Sequence, residues 1–175
     1  VLTGTSLLTN DSDPDGNALT LSSLPLVNPV HGLLTLNASG TYVYTPDLNY
    51  SGTDSFVYEV CDNSAPAACS SALVSINITA VNDAPSLSND SYSTTEDTPL
   101  NGASILNNDS DLDGNNLVLN TTPVTAPAHG QLTLNTNGTF TYLPDLNYFG
   151  SDLFVYSVCD NGSPSLCSTA SVTLN

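Results

Sequence analysis

The sequence predicts an all-β protein made of two tandem β-sandwiches. Residues 1–77 align with residues 99–175 without a gap, and 44 of the 77 aligned positions are identical, which indicates a duplicated domain. Each copy holds about seven short runs of alternating polar and apolar residues between turns rich in Gly, Pro and Asn, a pattern typical of sandwiches. Met and Trp are absent and Ser, Thr and Asn are abundant, which disfavours long helices.

The first part of copy one predicts two short strands and a connection. Leu2–Leu8 alternates poorly, and we assign it as the second half of a first strand. Ala18–Leu21 alternates with period two and is assigned as the next strand. The segment 22–32 contains two prolines, which restrict it to an edge strand or an irregular connection.

The middle of each copy gives the clearest signal, a β-hairpin over Gly32–Thr45. Its two alternating runs flank an Asn-Ala-Ser-Gly turn, and Gly40 supplies the positive φ that such a turn requires. Four apolar side chains are predicted to share one face: Leu34, Leu36, Tyr42 and Tyr44.

Two longer strands complete the copy. Ser55–Asp62 places three apolar side chains on one face: Phe56, Tyr58 and Val60. Ser71–Val81 does the same, with either Leu73 or Val74 joining Ile76 and Ile78. We expect these aromatic side chains to form the core.

The offset between the copies sets the domain boundaries at 1–81 and 86–175, with a linker at 82–85. The segment Ser86–Thr98 has no counterpart ahead of Val1, so we expect a truncated first strand in the first domain and a chain cut from a longer array. No apolar run reaches the roughly 18 residues of a membrane span, and no signal peptide is recognisable. Direct membrane insertion is therefore not expected.

Four cysteines occur as two pairs with the same spacing, Cys61 with Cys69 and Cys159 with Cys167. Of the three possible pairings, the matched spacing favours one local disulfide per copy, each closing a hairpin. A zinc site is the alternative, but the spacing is not CxxC and no His lies nearby. Disulfides indicate an oxidising, extracellular setting, so a secreted or cell-surface location is expected.

The charge is one-sided, with 17 acidic residues, no Lys and no Arg, for a net charge of −17. This balance argues against nucleic acid and anionic membranes as partners. The acids concentrate in the loop NDSDPDGN, which recurs as NDSDLDGN and carries acids on alternate positions: Asp11, Asp13, Asp15, Asp109, Asp111 and Asp113. Carboxylates about 6 Å apart repel by roughly 3 kcal/mol per pair at an effective dielectric of about 20.

A folded loop of this kind needs a counter-charge that the chain itself lacks. Ca²⁺ suits a flexible loop of oxygen ligands better than Mg²⁺ does, so we predict a calcium site. The alternative is a solvated acidic turn. A true EF-hand is rejected, because Ser22 and Asn120 stand where its bidentate Glu would be and a strand follows instead of a helix.

Counting strand directions predicts where the acids meet. If each strand reverses the previous one, three regions of the first copy fall at the same end of the sandwich: the acidic loop, the loop carrying Asp47 and Asp54, and the exit at Asn82 and Asp83. Their carboxylates are then expected to converge where the copies join. The alternative for Asp54, and for its counterpart Asp152, is that the carboxylate caps the backbone of its own loop.

Taken together, the motifs resemble the cadherin-like and bacterial immunoglobulin-like repeats of large bacterial surface adhesins and secreted proteins. The resemblance covers essentially the whole chain and is carried by GTYVYTPDLNYSGTDSFVYEVCDN, VNDAP, TEDTPL and NDSDxDGN. It implies two immunoglobulin/cadherin-like Greek-key sandwiches with Ca²⁺ at the domain junctions. By motif, the implied ligands are the acidic loops together with Asn82, Asp83, Glu96 and Asp97. The linker has fewer acids than that of animal cadherins, so fewer ions are expected.

These observations predict a non-catalytic, calcium-binding repeat of an extracellular adhesin, acting as a rigidified spacer or adhesive segment. Its expected partners are calcium ions, neighbouring repeats of the same chain, and a cell-surface protein or glycan. His31 and His129 occupy the same loop position in the two copies and are assigned structural roles, so no catalytic constellation is recognised. The alternative function is an accessory domain of a secreted hydrolase, for example a carbohydrate-binding one.

Overall fold

The computed structural model describes residues 1–175 as two compact units, Val1–Val81 and Asn82–Asn175. Both units are built from β-strands, and no α-helix is present, as the composition predicts. The residues 82–85 belong to the second unit by their contacts. The structure contains no helix with the length and hydropathy needed to cross a membrane.

The first unit has six strands and one short 3₁₀ helix at Leu7–Thr9. The strands are β1 Leu2–Gly4, β2 Thr20–Leu21, β3 Gly32–Leu36, β4 Tyr42–Pro46, β5 Gly52–Cys61 and β6 Cys69–Ile78. They form two three-stranded sheets, ordered β1-β4-β3 and β2-β5-β6. All pairings within these sheets are antiparallel.

The predicted hairpin is confirmed. Leu34 pairs with Tyr44 and Leu36 with Tyr42, and Gly40 at the turn has φ +85°. Tyr44 is fully buried, and it packs with Phe56 and Tyr58 of β5 in one core cluster. Of the two registers considered for the last strand, the one with Val74 facing inward is correct, because Leu73 is 64% exposed.

The predicted first strand over Leu2–Leu8 is wrong in its second half. β1 ends at Gly4, and Ser6 then caps the 3₁₀ helix, its hydroxyl accepting from the Leu8 N–H. The Leu7 N–H donates to the Gly40 carbonyl, which turns the chain towards the hairpin. The weak alternation of this segment is explained by this helical turn.

The second unit has seven strands. They are β7 Asp90–Tyr92, β8 Leu100–Gly102, β9 Val118–Leu119, β10 Gly130–Leu134, β11 Phe140–Pro144, β12 Asp152–Cys159 and β13 Cys167–Leu174. One sheet is ordered β10-β11-β8 and the other β7-β13-β12-β9. β7 pairs with β13 in parallel, while the other pairs are antiparallel. The core centres on Phe140, Phe154 and Tyr156, each at most 2% exposed.

The proline-containing segment 22–31 is not a separate crossing of the sandwich. β2 pairs with Cys61 and Val60 at one end of β5, Val27 bridges Val57 midway, and Val30 donates its N–H to Asp54 near the other end. β2 and this segment therefore form a single extended run along β5.

This changes which end of the first unit holds the acidic loop. The loop lies at the Cys61 end of β5, whereas Asp54 lies near its Gly52 end, next to Ile78 where β6 ends. Asp54 and Cys61 are seven residues apart along β5, roughly 23 Å at the usual rise. The predicted convergence of Asp11, Asp13 and Asp15 with Asp54 is therefore wrong.

Both predicted disulfides are present. Cys61 is bonded to Cys69 and Cys159 to Cys167, and no free cysteine remains. Each bond joins directly paired residues at the end of two long antiparallel strands.

Candidate functional site

The acidic site of the second unit is assembled at the end where the chain enters it. Asn82 and Asp83 lie beside the loop 108–115, so the linker and the acidic loop are brought together as a single cluster. The Asp83 backbone N–H donates to Asp113 Oδ2 at 2.7 Å, and the Asn115 side-chain amide donates to Asn82 Oδ1 at 2.7 Å. We call this set of residues, with Asp109, Asp111 and Asp160, the entry cluster.

Asp111 gives the loop its shape. Its Oδ1 accepts the backbone N–H groups of Asp113 and Asn115, both at 3.0 Å, and Gly114 permits the bend with φ +74°. Its other oxygen, Oδ2, is buried and has no hydrogen-bond partner. A buried carboxylate oxygen without a partner is costly unless a cation or a donor occupies the adjacent space.

Asp160 is a member of the entry cluster that the sequence analysis missed. It is only 3% exposed, and its Oδ2 accepts from the Asn82 side-chain amide at 2.7 Å. Burial opposes its charge, but the N–H groups of Leu166 and Gly162 and the Asn82 amide outweigh it and hold the pKa of Asp160 below its usual range. The repeated CDN triplet at Cys61 and Cys159 was the available signal.

Asp109, in the entry cluster, contacts the segment just ahead of β7, and Asp90 of β7 contacts Asn108 of the acidic loop. Asp109 accepts from the Ser88 N–H at 2.9 Å through Oδ1 and from the Tyr156 hydroxyl at 2.9 Å through Oδ2. Asp90 Oδ2 is the second buried carboxylate oxygen without a partner, although its Oδ1 accepts from Asn108 at 3.2 Å. Burial raises the pKa of Asp90.

The entry cluster carries the carboxylate and amide oxygens that a hard cation prefers, but these oxygens do not form a complete coordination site. No three His, Cys, Asp or Glu side chains converge as a metal-binding group. However, the cluster contains the orphaned buried oxygen of Asp111, further carboxylates and the Asn82 amide oxygen, and these are the kinds of ligand that Ca²⁺ takes.

The equivalent loop of the first unit has the same local fold with fewer partners. Asp13 Oδ1 accepts from the N–H groups of Asp15 and Asn17, at 2.8 and 3.1 Å, as Asp111 does in its own loop. Tyr58 donates its hydroxyl to Asp11 at 3.1 Å. The orphaned oxygen found on Asp111 is not found on Asp13.

Asp54 and Asp152 lie at the opposite ends of their units from the acidic loops, and their oxygens are taken up internally. Asp54 accepts from the N–H groups of Val30, His31 and Ser55 and from the Tyr44 hydroxyl, all at 2.8–3.0 Å. Asp152 has four equivalent donors at 2.8–2.9 Å. These contacts favour the capping role over a metal-binding one.

Glu96 and Asp97 are also separated from the entry cluster. They lie in the turn between β7 and β8, where Asp97 has φ +58° and accepts from the Asn147 N–H at 2.8 Å. Thr94 in the same turn bonds the carbonyl of Asn175, which places the turn at the Asp152 end of the unit. β12, eight residues long, lies between this end and Asp160.

Two tandem β-sandwiches, each with an acidic loop at one end and a local disulfide, define a repeat of the immunoglobulin-like class. Residues 82–175 match the family described as the bacterial cadherin-like domain, and residues 1–77 match the bacterial Ig domain. The first match covers 94 of 175 residues, and the chain belongs to the bacterial cadherin-like domain family. A sequence search of curated proteins finds no match.

Solved cadherin structures share this fold. Mouse cadherin-23 EC22-24 aligns with a TM-score of 0.58 and 18% identity over 94% of this chain and 56% of the other. Protocadherin gamma C5 EC1-3 gives 0.56 and 18% over 90% and 55%, and protocadherin gamma B2 domains 3-6 give 0.53 and 16% over 94% and 42%. The chain thus spans about half the length of these structures, and at these identities the likeness concerns the fold.

Proposed function

We propose that this chain is a non-catalytic, calcium-binding repeat module of an extracellular or cell-surface adhesin, serving as a spacer or adhesive segment. Family membership supports the module, and the two disulfides support an oxidising, extracellular setting. The single observation that carries the calcium proposal is the buried, partnerless Oδ2 of Asp111, which lies in a loop of acids within a chain that has no Lys or Arg.

The entry cluster supplies the ligands of the proposed ion. Asp111 contributes its orphaned oxygen, and the other acids of the loop and the linker, Asp83, Asp109 and Asp113, are the proposed further ligands. Bound Ca²⁺ supplies positive charge, which offsets the repulsion among these groups. Because Asn82 and Asp83 belong to the cluster, a bound ion would hold the linker against the second repeat. A linker held in this way would make a chain of such repeats stiffer.

The test is thermal unfolding of the whole chain with Ca²⁺ or with a chelator. An ion that binds only the folded state stabilises it by RT ln(1 + [L]/Kd), about 2.7 kcal/mol at a hundredfold excess over Kd. We therefore expect the transition of the second unit to rise in Ca²⁺ and to fall after chelation.

The matched variants are Asp111→Asn and Asp13→Asn, which make the same change in the two copies. Asp111→Asn is expected to abolish most of the calcium shift, while Asp13→Asn leaves the shift of the second unit intact. A midpoint that Ca²⁺ does not change, or equal effects of the two variants on that shift, contradicts the proposal.

A further inference from the structure

The Asn82 side chain is held at both ends of its amide by the second unit. Its nitrogen donates to Asp160 Oδ2 at 2.7 Å and to the Pro164 carbonyl at 3.0 Å. Its oxygen accepts from the Asn115 side-chain amide at 2.7 Å. An amide satisfies this arrangement because it donates at one end and accepts at the other, which a carboxylate or an aliphatic side chain cannot do.

Gly162 leaves the space that this amide occupies. A β-carbon added at Gly162 would collide with the oxygen and the Cγ atom of the Asn82 side chain. The φ of Gly162 lies outside the left-handed region, so the backbone itself does not require glycine here. What the position requires is the absence of a side chain. We call the space bounded by Asp160, Gly162, Pro164 and Asn115 the amide slot.

The corresponding loop of the first unit fills this space with its own side chain. Ser64 stands where the second unit has Gly162. The Ser64 hydroxyl lies 2.8 Å from Asp62 Oδ2 and 2.8 Å from the Pro66 carbonyl. These two acceptors are the counterparts of those that the Asn82 nitrogen contacts in the second unit. Because the serine and its acceptors belong to one loop, this contact does not depend on any preceding segment of the chain.

We propose that the amide slot is a recognition site for an asparagine side chain of the segment that enters the repeat, and that position 162 decides whether a repeat has this site. Glycine opens the slot for the asparagine, whereas serine closes it by satisfying the aspartate internally. Asp83 follows Asn82 and donates its N–H to Asp113, so the slot holds the linker against the acidic loop without a metal ion. The inference therefore does not rest on the calcium proposal, and each experiment is carried out in chelator.

The first test is Gly162→Ser, which gives the second unit the serine of the first. The new hydroxyl is expected to take over Asp160 and to expel Asn82. Amide exchange at Asp83 should then become at least about tenfold faster, because its hydrogen bond to Asp113 opens more often. Exchange in the core strand β12 should not change, since the loop then satisfies its own aspartate.

The matched control is Ser64→Gly, the reverse change in the first unit, which should leave exchange at Asp83 as it is in the unmodified chain. Unchanged exchange at Asp83 in Gly162→Ser would overturn the proposal. Equal acceleration at Asp83 and in β12 would overturn it as well, because Gly162 would then support the fold of the unit and not the position of the linker.

The second test reverses the hydrogen bond between Asn82 and Asp160. Asn82→Asp sets two carboxylates against each other and is expected to raise the unfolding equilibrium constant of the second unit at least about tenfold. Asp160→Asn is expected to destabilise the unmodified chain but to stabilise the Asn82→Asp chain, because the pair then again has one donor and one acceptor.

Urea unfolding of the single and double variants measures this change of sign. The matched control is Asp62→Asn, the same substitution in the first unit, which should have the same effect with and without Asn82→Asp. If Asp160→Asn destabilises both backgrounds equally, Asp160 does not recognise the Asn82 amide and the proposal is wrong.

Discussion

Asp54 shows how a chain without basic side chains buries a carboxylate. The group is 6% exposed, yet each of its oxygens accepts two hydrogen bonds. Oδ1 accepts from the N–H groups of Val30 and Ser55, and Oδ2 accepts from the His31 N–H and the Tyr44 hydroxyl. Burial opposes the charge, but these donors outweigh it and lower the pKa of Asp54 from 3.8 to about 2. Tyr44 shows the converse, because burial and the neighbouring carboxylate raise its pKa above the usual range.

The first prediction concerns acid stability. Because the folded pKa of Asp54 lies below the unfolded one, its stabilising effect is full above about pH 4 and is lost as the pH falls towards 2. Asp54→Asn is expected to cost about 1–3 kcal/mol near neutral pH, since its NH₂ group faces donors. It should also flatten the decline of first-unit stability in acid, as measured by urea unfolding at several pH values.

The matched control is Asp47→Asn, an exposed acid in the adjoining loop. At about 0.15 M salt, where exposed charges are screened, it should leave both the neutral-pH stability and the acid decline close to those of the unmodified chain. If Asp54→Asn follows the same pH curve as the control, the hydrogen bonds around Asp54 do not govern acid stability.

At the scale of elements, β12 and β5 are the central strands of their sheets, and their inward aromatics determine the core. Phe154 of β12 is completely buried, whereas Phe149 in the preceding loop is 84% exposed. Both side chains are phenylalanine and differ only in burial. Comparing their substitution therefore separates the effect of core packing on stability from the effect of losing a hydrophobic side chain.

The second prediction uses this pair. Phe154→Ala removes a buried ring and leaves a cavity, and is expected to destabilise the second unit by about 3–5 kcal/mol. Phe149→Ala should change stability by no more than about 0.5 kcal/mol, as is usual for surface sites. Chemical denaturation of both variants measures the difference, and similar losses in the two would contradict the assigned core.

The third prediction concerns the disulfides at the ends of the long hairpins. Replacing Cys61 and Cys69 together with Ser frees a short loop in the unfolded chain, for which the chain-entropy account gives about 2.5 kcal/mol. The first unit is expected to lose about that amount, and the second unit should not change. Denaturation of the double variant measures the loss, and loss in both units would indicate a wider effect than loop closure.

Much of each sandwich was predictable from the sequence, because the information is local. The alternation of polar and apolar residues around Leu34, Tyr44 and Phe56 predicted the inward face of three strands. Gly40 predicted the position of the turn. The matched cysteine spacing identified the disulfides. Each of these features depends on residues a few positions apart.

The positions of the acids were less predictable. The end of the sandwich at which each acid lies depends on whether the chain crosses the sandwich an odd or an even number of times before it. Whether 22–31 runs alongside β5 with β2 or crosses separately moves the acidic loop by the full length of a strand, and no local pattern distinguishes the two cases. Asp160 was missed for a related reason. Its partner Asn82 lies 78 positions away in sequence, and only the folded chain brings the two together.

At the scale of the molecule, the net charge of −17 acts on every folded state of the chain. With no Lys or Arg, internal neutralisation is restricted to hydrogen-bond donors, and the remaining acids repel one another through solvent. Salt shortens the reach of that repulsion, from about 30 Å at 0.01 M to about 8 Å at 0.15 M. Compact states hold charges closer together than unfolded ones, so screening favours folding.

The last prediction follows from this. With chelator present, so that no calcium contributes, raising NaCl over that range is expected to raise the thermal midpoints of both units. Asp47→Asn combined with Asp145→Asn reduces the net charge from −17 to −15 at two exposed loops, and should both raise the low-salt midpoint and shrink the salt effect. Calorimetry at constant pH measures both. A midpoint that falls with NaCl would mean that the folded chain is stabilised by attractions between charges, for which this sequence provides no cationic side chain other than its two histidines.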